Sequence, residues 1–231
     1  MFIPLSDQNS LKHIDVHYVT LGLIAANVLI FAVFQSGILF PEAVHFAIAT
    51  GLGVVPGELL DNLPARGPVG IPESATLVSY MFLHGGWMHL IGNMLFLWVF
   101  GDNVEDALGH WRFLIFYLAC GIFAGLAHAW ISPTSNIPLV GASGAVAGIV
   151  AAYLMLHPNV RIWILLLGRL PLKLSAFWVL GGWIVFQFYN VLVAIDDVVA
   201  WWAHIGGLVA GAVLIVIMRR PGVPLFDRDV S

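Results

Sequence analysis

Charge is what this chain has least of. Nine Lys or Arg and thirteen Asp or Glu amount to 10% of its 231 residues, while 60% are hydrophobic. A soluble domain carries about 25% charged residues. A soluble chain of this length cannot enclose so much apolar surface in one core, so the excess faces lipid. The net charge of −4 comes with neither a basic patch nor an acidic tail, so nucleic acid is not an expected partner. Cysteine is nearly absent too. Cys120 is the single one, which excludes an internal disulfide, and its place in an apolar run suits lipid or helix packing. No internal repeat is apparent, which weighs against transporters built from inverted repeats. A cleavable signal peptide is also not evident. The first apolar run begins near Tyr18 after a mixed polar segment and reads as a signal anchor.

What the chain does have is apolar runs of membrane-crossing length. Six spans are expected, at about 18–37, 77–100, 113–131, 139–156, 174–194 and 199–218. This gives an all-α polytopic membrane protein, a six-helix bundle over 18–218, with an N-terminal segment 1–17 and a tail 219–231. The connection 38–76 is rich in Gly and Pro and holds apolar pieces too short to span. It reads as a long first loop with short helices in the membrane interface. Ile162 to Leu167 is likewise too short. Eight of nine Lys and Arg fall on one side if the N-terminus is inside, and only Arg66 falls outside. Both termini are therefore expected in the cytoplasm.

Polar residues inside spans are functional candidates, and here they concentrate. Span two holds His84, His89 and Asn93, span four opens with Gly141-Ala142-Ser143-Gly144, and span six contains His204 followed by Gly207 and Gly211. Ser143 lies about four residues below the outer end of its span and His204 about five, or roughly 6 and 8 Å. Gly207 and Gly211 share the helical face of His204. Gly144 and its small neighbours flank Ser143, so the two helices can approach closely. A serine hydroxyl needs a base to become a nucleophile, and a neutral imidazole serves near pH 7. The first turn of the serine's helix offers unpaired N–H groups to an oxyanion. His89 and Asn93, four apart, share a face and can both donate. His84 and His89, five apart on one helix, point about 140° apart and are not expected to act as one unit. No carboxylate shares the face of His204, and Asp196 and Asp197 read as solvated loop charges. A dyad rather than a triad is expected. Glu105, toward the inner end of span two, is expected to pair with Arg112.

In these residues the chain resembles the rhomboid family, over about 77–215. The resemblance rests on His84-x4-His89-x3-Asn93, on Gly141-x-Ser143-Gly144, and on His204 with Gly207 and Gly211. It implies a cofactor-free intramembrane serine endopeptidase of bacterial six-helix type that cuts transmembrane segments of other proteins near the outer leaflet. Ser143 would be nucleophile, His204 base, and His89, Asn93 and the backbone at Ser143 the oxyanion donors. His84 would be structural or oxyanion-side, and the expected location is the inner (plasma) membrane of a bacterium. Two departures stand out. Some members carry an aromatic residue four positions after the serine, packed on the imidazole, where this chain has Ala147. Some carry a Trp-Arg pair in the first outer loop, which this chain lacks. By analogy, span five and the loop 195–199 would move to admit substrate. The rival readings are a rhomboid-like protein that binds membrane clients without cutting, and a metal or haem protein using His84, His89 and His204.

Overall fold

The computed structural model describes residues 2–64, 71–193 and 199–227. Arg66, Asp196, Asp197 and most of the loop 195–199 lie outside the described residues. The chain begins with strand β1 (Phe2–Asp7), then α1 (Tyr18–Ile30), whose last turn widens into a π-helical stretch, Phe31–Gln35. Three short helices follow, α2 (Glu42–Leu52), α3 (Pro56–Leu59) and α4 (Glu73–Ser79), and then a 3-10 turn, Tyr80–Phe82. The long helices α5 (Trp87–Leu108) and α6 (His110–Ile131) are followed by α7 (Ser143–Leu156). A hairpin of β2 (Arg161–Leu166) and β3 (Leu170–Ser175) leads into α8 (Ala176–Val193), and α9 (Trp201–Met218) completes the bundle.

The fold is that of a polytopic membrane protein. Tyr18–Gln35, α6, α8 and α9 are long and apolar enough to cross a bilayer. Helix α5 has the length, but Asp102, Glu105 and Asp106 occupy its C-terminal end. Helix α7 has only 14 residues. It reaches about 21 Å, short of the ~30 Å hydrocarbon core. Aromatic side chains such as Trp98, Trp111, Trp130 and Trp178 stand on the outside of the bundle, as expected of interfacial belts.

Helices α6, α7 and α9 form the tight centre, because glycines remove side chains where they cross. A Cβ on Gly207 would land on the carbonyl of Gly144, and one on Gly211 on that of Gly148. Cys120 of α6 fills the space beside Gly148, where a Cβ would meet its Sγ at 2.5 Å. The cysteine thus packs between helices rather than against lipid.

Four expectations change. Span two does not run unbroken from residue 77. Helix α4 and the 3-10 turn end at Phe82, and α5 starts only at Trp87, because Gly85-Gly86 gives the backbone no reason to stay helical. The helical part of span four starts at Ser143, while Leu139 before it pairs with Val54 in an isolated antiparallel bridge. The segment around Ile162–Leu167 is neither span nor bare connection. Its buried Ile162 and Ile164 alternate with the more exposed Arg161 and Trp163 in β2, which sits between β1 and β3 in an antiparallel sheet. Finally, Glu105 does not pair with Arg112. Fully buried, it accepts the backbone N–H groups of Val19 and Thr20 and the Thr20 hydroxyl, and meets His110 Nδ1 at 2.5 Å. It thereby caps the start of α1, whose orphan donors Arg112 could not serve.

Candidate active site

Ser143 is the first residue of α7, and its position is set by the segment before it. Leu139 is held by Val54, with N···O distances of 2.7 and 3.1 Å, and Gly141 donates its N–H to the Tyr80 carbonyl at 2.9 Å. Tyr80 in turn donates its hydroxyl to the Gly121 carbonyl of α6 at 2.7 Å. The turn at Tyr80 therefore ties the serine's approach to the neighbouring helix. Gly141 has φ +126°, and a Cβ there would meet His89 Cε1 at 2.6 Å. Glycine is required at that point by backbone and by space alike. Gly144 stands where a Cβ would meet that of Ala124 at 2.5 Å.

His204 lies in the first turn of α9. Its Nε2 is 3.0 Å from Ser143 Oγ, the distance that lets an imidazole take a hydroxyl proton. Its Nδ1 is 2.8 Å from Oε1 of Gln187 on α8. The Gln187 amide nitrogen donates to the Trp183 carbonyl one turn earlier, at 3.1 Å, so its oxygen is the end that faces the imidazole. An oxygen acceptor there calls for the proton on Nδ1 and leaves the Nε2 lone pair for the serine. Two indoles frame the ring: Trp183 at 6.1 Å between centroids and Trp201 at 5.9 Å, edge-on. Ala147, buried one turn after Ser143, packs in a small cluster with Ala151 and Leu208, against which Trp183 lies. The small side chain on α7 leaves room for an indole from α8.

The other predicted residues gather beside this pair. The His84 and His89 rings meet edge to face, 5.1 Å apart. The 140° separation expected for them does not apply, because His84 precedes α5 in the non-helical break. His84 is fully buried, and its backbone N–H donates to Gln35 Oε1 at 2.9 Å. His89 stands against Gly141. Asn93, one turn further along α5, is buried, and its Nδ2 finds no acceptor among the described residues, so a donor is left over there. Among the described residues no set of three His, Cys, Asp or Glu is placed to hold a metal ion.

Sequence reasoning missed Gln187, Gln35 and the two indoles. Gln187 had a signal: an amide inside an apolar span, four residues after a tryptophan. Such a residue counts as a functional candidate by its cost alone.

A family model of the rhomboid domain matches residues 72–221. The chain is 29% identical over 172 residues to Rhomboid-like protein 11, chloroplastic, of Arabidopsis thaliana, covering 69% of this chain and 58% of that one. It is 44% identical over 78 residues to Rhomboid protease GluP of Bacillus subtilis, covering 34% and 15%. It is 29% identical over 176 residues to Rhomboid-type serine protease 2 of Emericella nidulans, covering 72% and 30%. The matched stretch is thus about half or less of the length of most of these relatives. The residues matched by the family model include the turn at Tyr80, His84, His89 and Asn93, the serine of α7 and the histidine of α9, and by that match this chain belongs to the rhomboid family.

Proposed function

We propose that the protein is an intramembrane serine endopeptidase that cleaves transmembrane segments of other membrane proteins with Ser143 and His204 and no cofactor. The observation that carries this reading is the 3.0 Å contact between Ser143 Oγ and His204 Nε2. Ser143 Oγ attacks the scissile carbonyl carbon while His204 Nε2 takes its proton. The carbonyl oxygen becomes an oxyanion, for which the open N–H groups of the first turn of α7 and the side chains of His89 and Asn93 are the donors. The intermediate collapses as the C–N bond breaks, and the imidazolium gives its proton to the leaving amine. Water then attacks the acyl ester with His204 again as base, returning the serine.

The short α7 supports a site below one face of the bilayer. Its 14 residues leave about 9 Å of the core to the segment before Ser143. With the termini in the cytoplasm, six spans and the helical domain over 18–218, that face is the outer one. The relatives' names mention chloroplast, mitochondrion and a bacterium, so what carries over is the membrane and not its compartment.

The test is labelling with a fluorophosphonate in detergent, together with cleavage of a transmembrane substrate that has a helix-breaking segment near its outer end. Wild type is expected to label and cleave, and Ser143→Ala and His204→Ala to do neither at unchanged melting temperature. Cleavage by Ser143→Ala would sink the mechanism. A family member that binds clients without cutting would leave wild-type Ser143 unlabelled.

A further inference from the structure

We infer that Gln187 is the positioning residue of this site: its amide oxygen holds Nδ1–H of His204 and so fixes which nitrogen faces Ser143. The inference rests on the serine–histidine reading above and adds a third side chain to it.

Three observations carry it. Only four residues of α8 are buried, Ala176, Val179, Leu180 and Gln187, and Gln187 is the polar one. Most of the helix faces outward, so an amide turned inward, at 2% exposure, gives up hydration that only good partners repay. Second, both ends of that amide are engaged, Oε1 with His204 and Nε2 with the Trp183 carbonyl. The back-bond to Trp183 prevents the amide from turning over and offering N–H to the imidazole. Third, Ala147 of α7 belongs to a small cluster against which Trp183 of α8 packs, and Trp183 in turn lies beside the imidazole. Helix α8 therefore provides the lateral packing through one residue and the hydrogen bond through another, one turn apart.

The chemistry needs this hold. A neutral imidazole has two tautomers, and only the one protonated on Nδ1 can accept the serine proton at Nε2. Without an acceptor at Nδ1, both tautomers and a range of ring orientations compete. Because Gln187 is neutral, it selects the tautomer without adding charge. A carboxylate would do the same and also favour the imidazolium.

The experiment compares Gln187→Leu and Gln187→Glu with wild type. It measures kcat and KM on a transmembrane substrate, fluorophosphonate labelling against pH, and melting temperature. Gln187→Leu is expected to lose about ten- to a hundredfold in kcat and labelling rate, with KM within about twofold. Gln187→Glu keeps an oxygen at Nδ1 and is expected to retain most of kcat. Its acidic limb is expected to move to higher pH, since a carboxylate then faces the imidazole. Among the described residues, the other ionisable group acting on that ring is His89 from α5; every group but residue 187 is the same in all three proteins, so the shift reports residue 187. Helix packing alone would make both variants similarly weak, in proportion to lost melting temperature, with the limb unmoved. That outcome, or wild-type kcat in Gln187→Leu, overturns the role of Gln187 while wild-type labelling at Ser143 leaves the protease reading standing. An unlabelled wild type overturns both.

Discussion

Glycines near Ser143 and His204 differ in what they exclude, and the differences are testable one residue at a time. At Gly141 a side chain would meet the His89 ring at 2.6 Å from a φ of +126°, a backbone region that costs other residues about 1–3 kcal/mol. Gly141→Ala is expected to slow labelling of Ser143 by about tenfold or more, through the displaced loop and imidazole. Gly207→Ala acts differently. Its methyl meets the Gly144 backbone, which cannot give way as a flexible side chain can, so α9 moves off α7. Such overpacking costs about 1–3 kcal/mol, and a falling melting temperature is expected with the loss of labelling. Gly22, with nothing within 4 Å of its would-be Cβ, is the control. Gly22→Ala is expected to leave both readouts unchanged or to raise the melting temperature slightly. The sequence makes Ser143, His204 and the glycine face readable, because their spacing is helical and polar side chains are conspicuous in apolar runs. It does not make Gln187 readable as a partner of His204. That contact joins two helices across a loop, and span prediction fixes neither helix's rotation.

Elements show a similar division. Long helices are legible from apolar length, and α1, α6, α8 and α9 lie close to the expected spans. The break at 83–86 is only partly legible: Gly85-Gly86 marks a turn, but Met81, Phe82 and Leu83 keep the run apolar up to it, so a span count reads through it. The sheet is hidden for another reason. Strand β1 pairs Phe2 with Leu166 and Asp7 with Ile162, partners some 155–164 positions away that no local pattern connects. Acidic residues at the end of α5 are likewise readable as a cluster but not as caps. Asp106 accepts the N–H groups of Lys12, His13 and Ile14 at 3.0, 2.7 and 2.8 Å, and Glu105 does the same for α1. One turn of α5 thus fastens the whole N-terminal segment. Glu105→Ala leaves at least two buried donors without partners. A loss of about 2–4 kcal/mol is expected, read as a lower melting temperature with wild-type labelling per folded molecule. Arg112→Ala is expected to change stability little, since Glu105 is not its partner. The reverse order of effects would show that the cap is not what Glu105 contributes.

At the scale of the whole molecule, the sheet ties the N-terminal strand to the hairpin that follows α7, beside the C-terminal half of that helix. Asp7 in β1 accepts the Tyr153 hydroxyl at 2.5 Å, and the same helix begins at Ser143. Burial pushes the Asp7 carboxyl up to about 7, against the opposing effect of that hydrogen bond. The sign follows directly. A carboxyl that titrates near 3.8 in the unfolded chain and near 7 in the folded one leaves the folded state holding the extra proton between those values. Stability then falls as pH rises through that window, and above it the full penalty of a buried carboxylate remains. Asp7→Asn keeps an oxygen for Tyr153 and removes the ionisation. The difference in melting temperature, Asp7→Asn minus wild type, is therefore expected to grow from about pH 4 to about pH 7 and then level off. Taking the difference cancels the titrating groups that do not interact with Asp7, while Asp102, whose charge also raises the Asp7 carboxyl, contributes through that coupling. A difference that stays flat across this range would show that Asp7 is ionised, and solvated, in the folded protein. A growing difference would show that the N-terminal strand is docked on α7, a feature no span count anticipates.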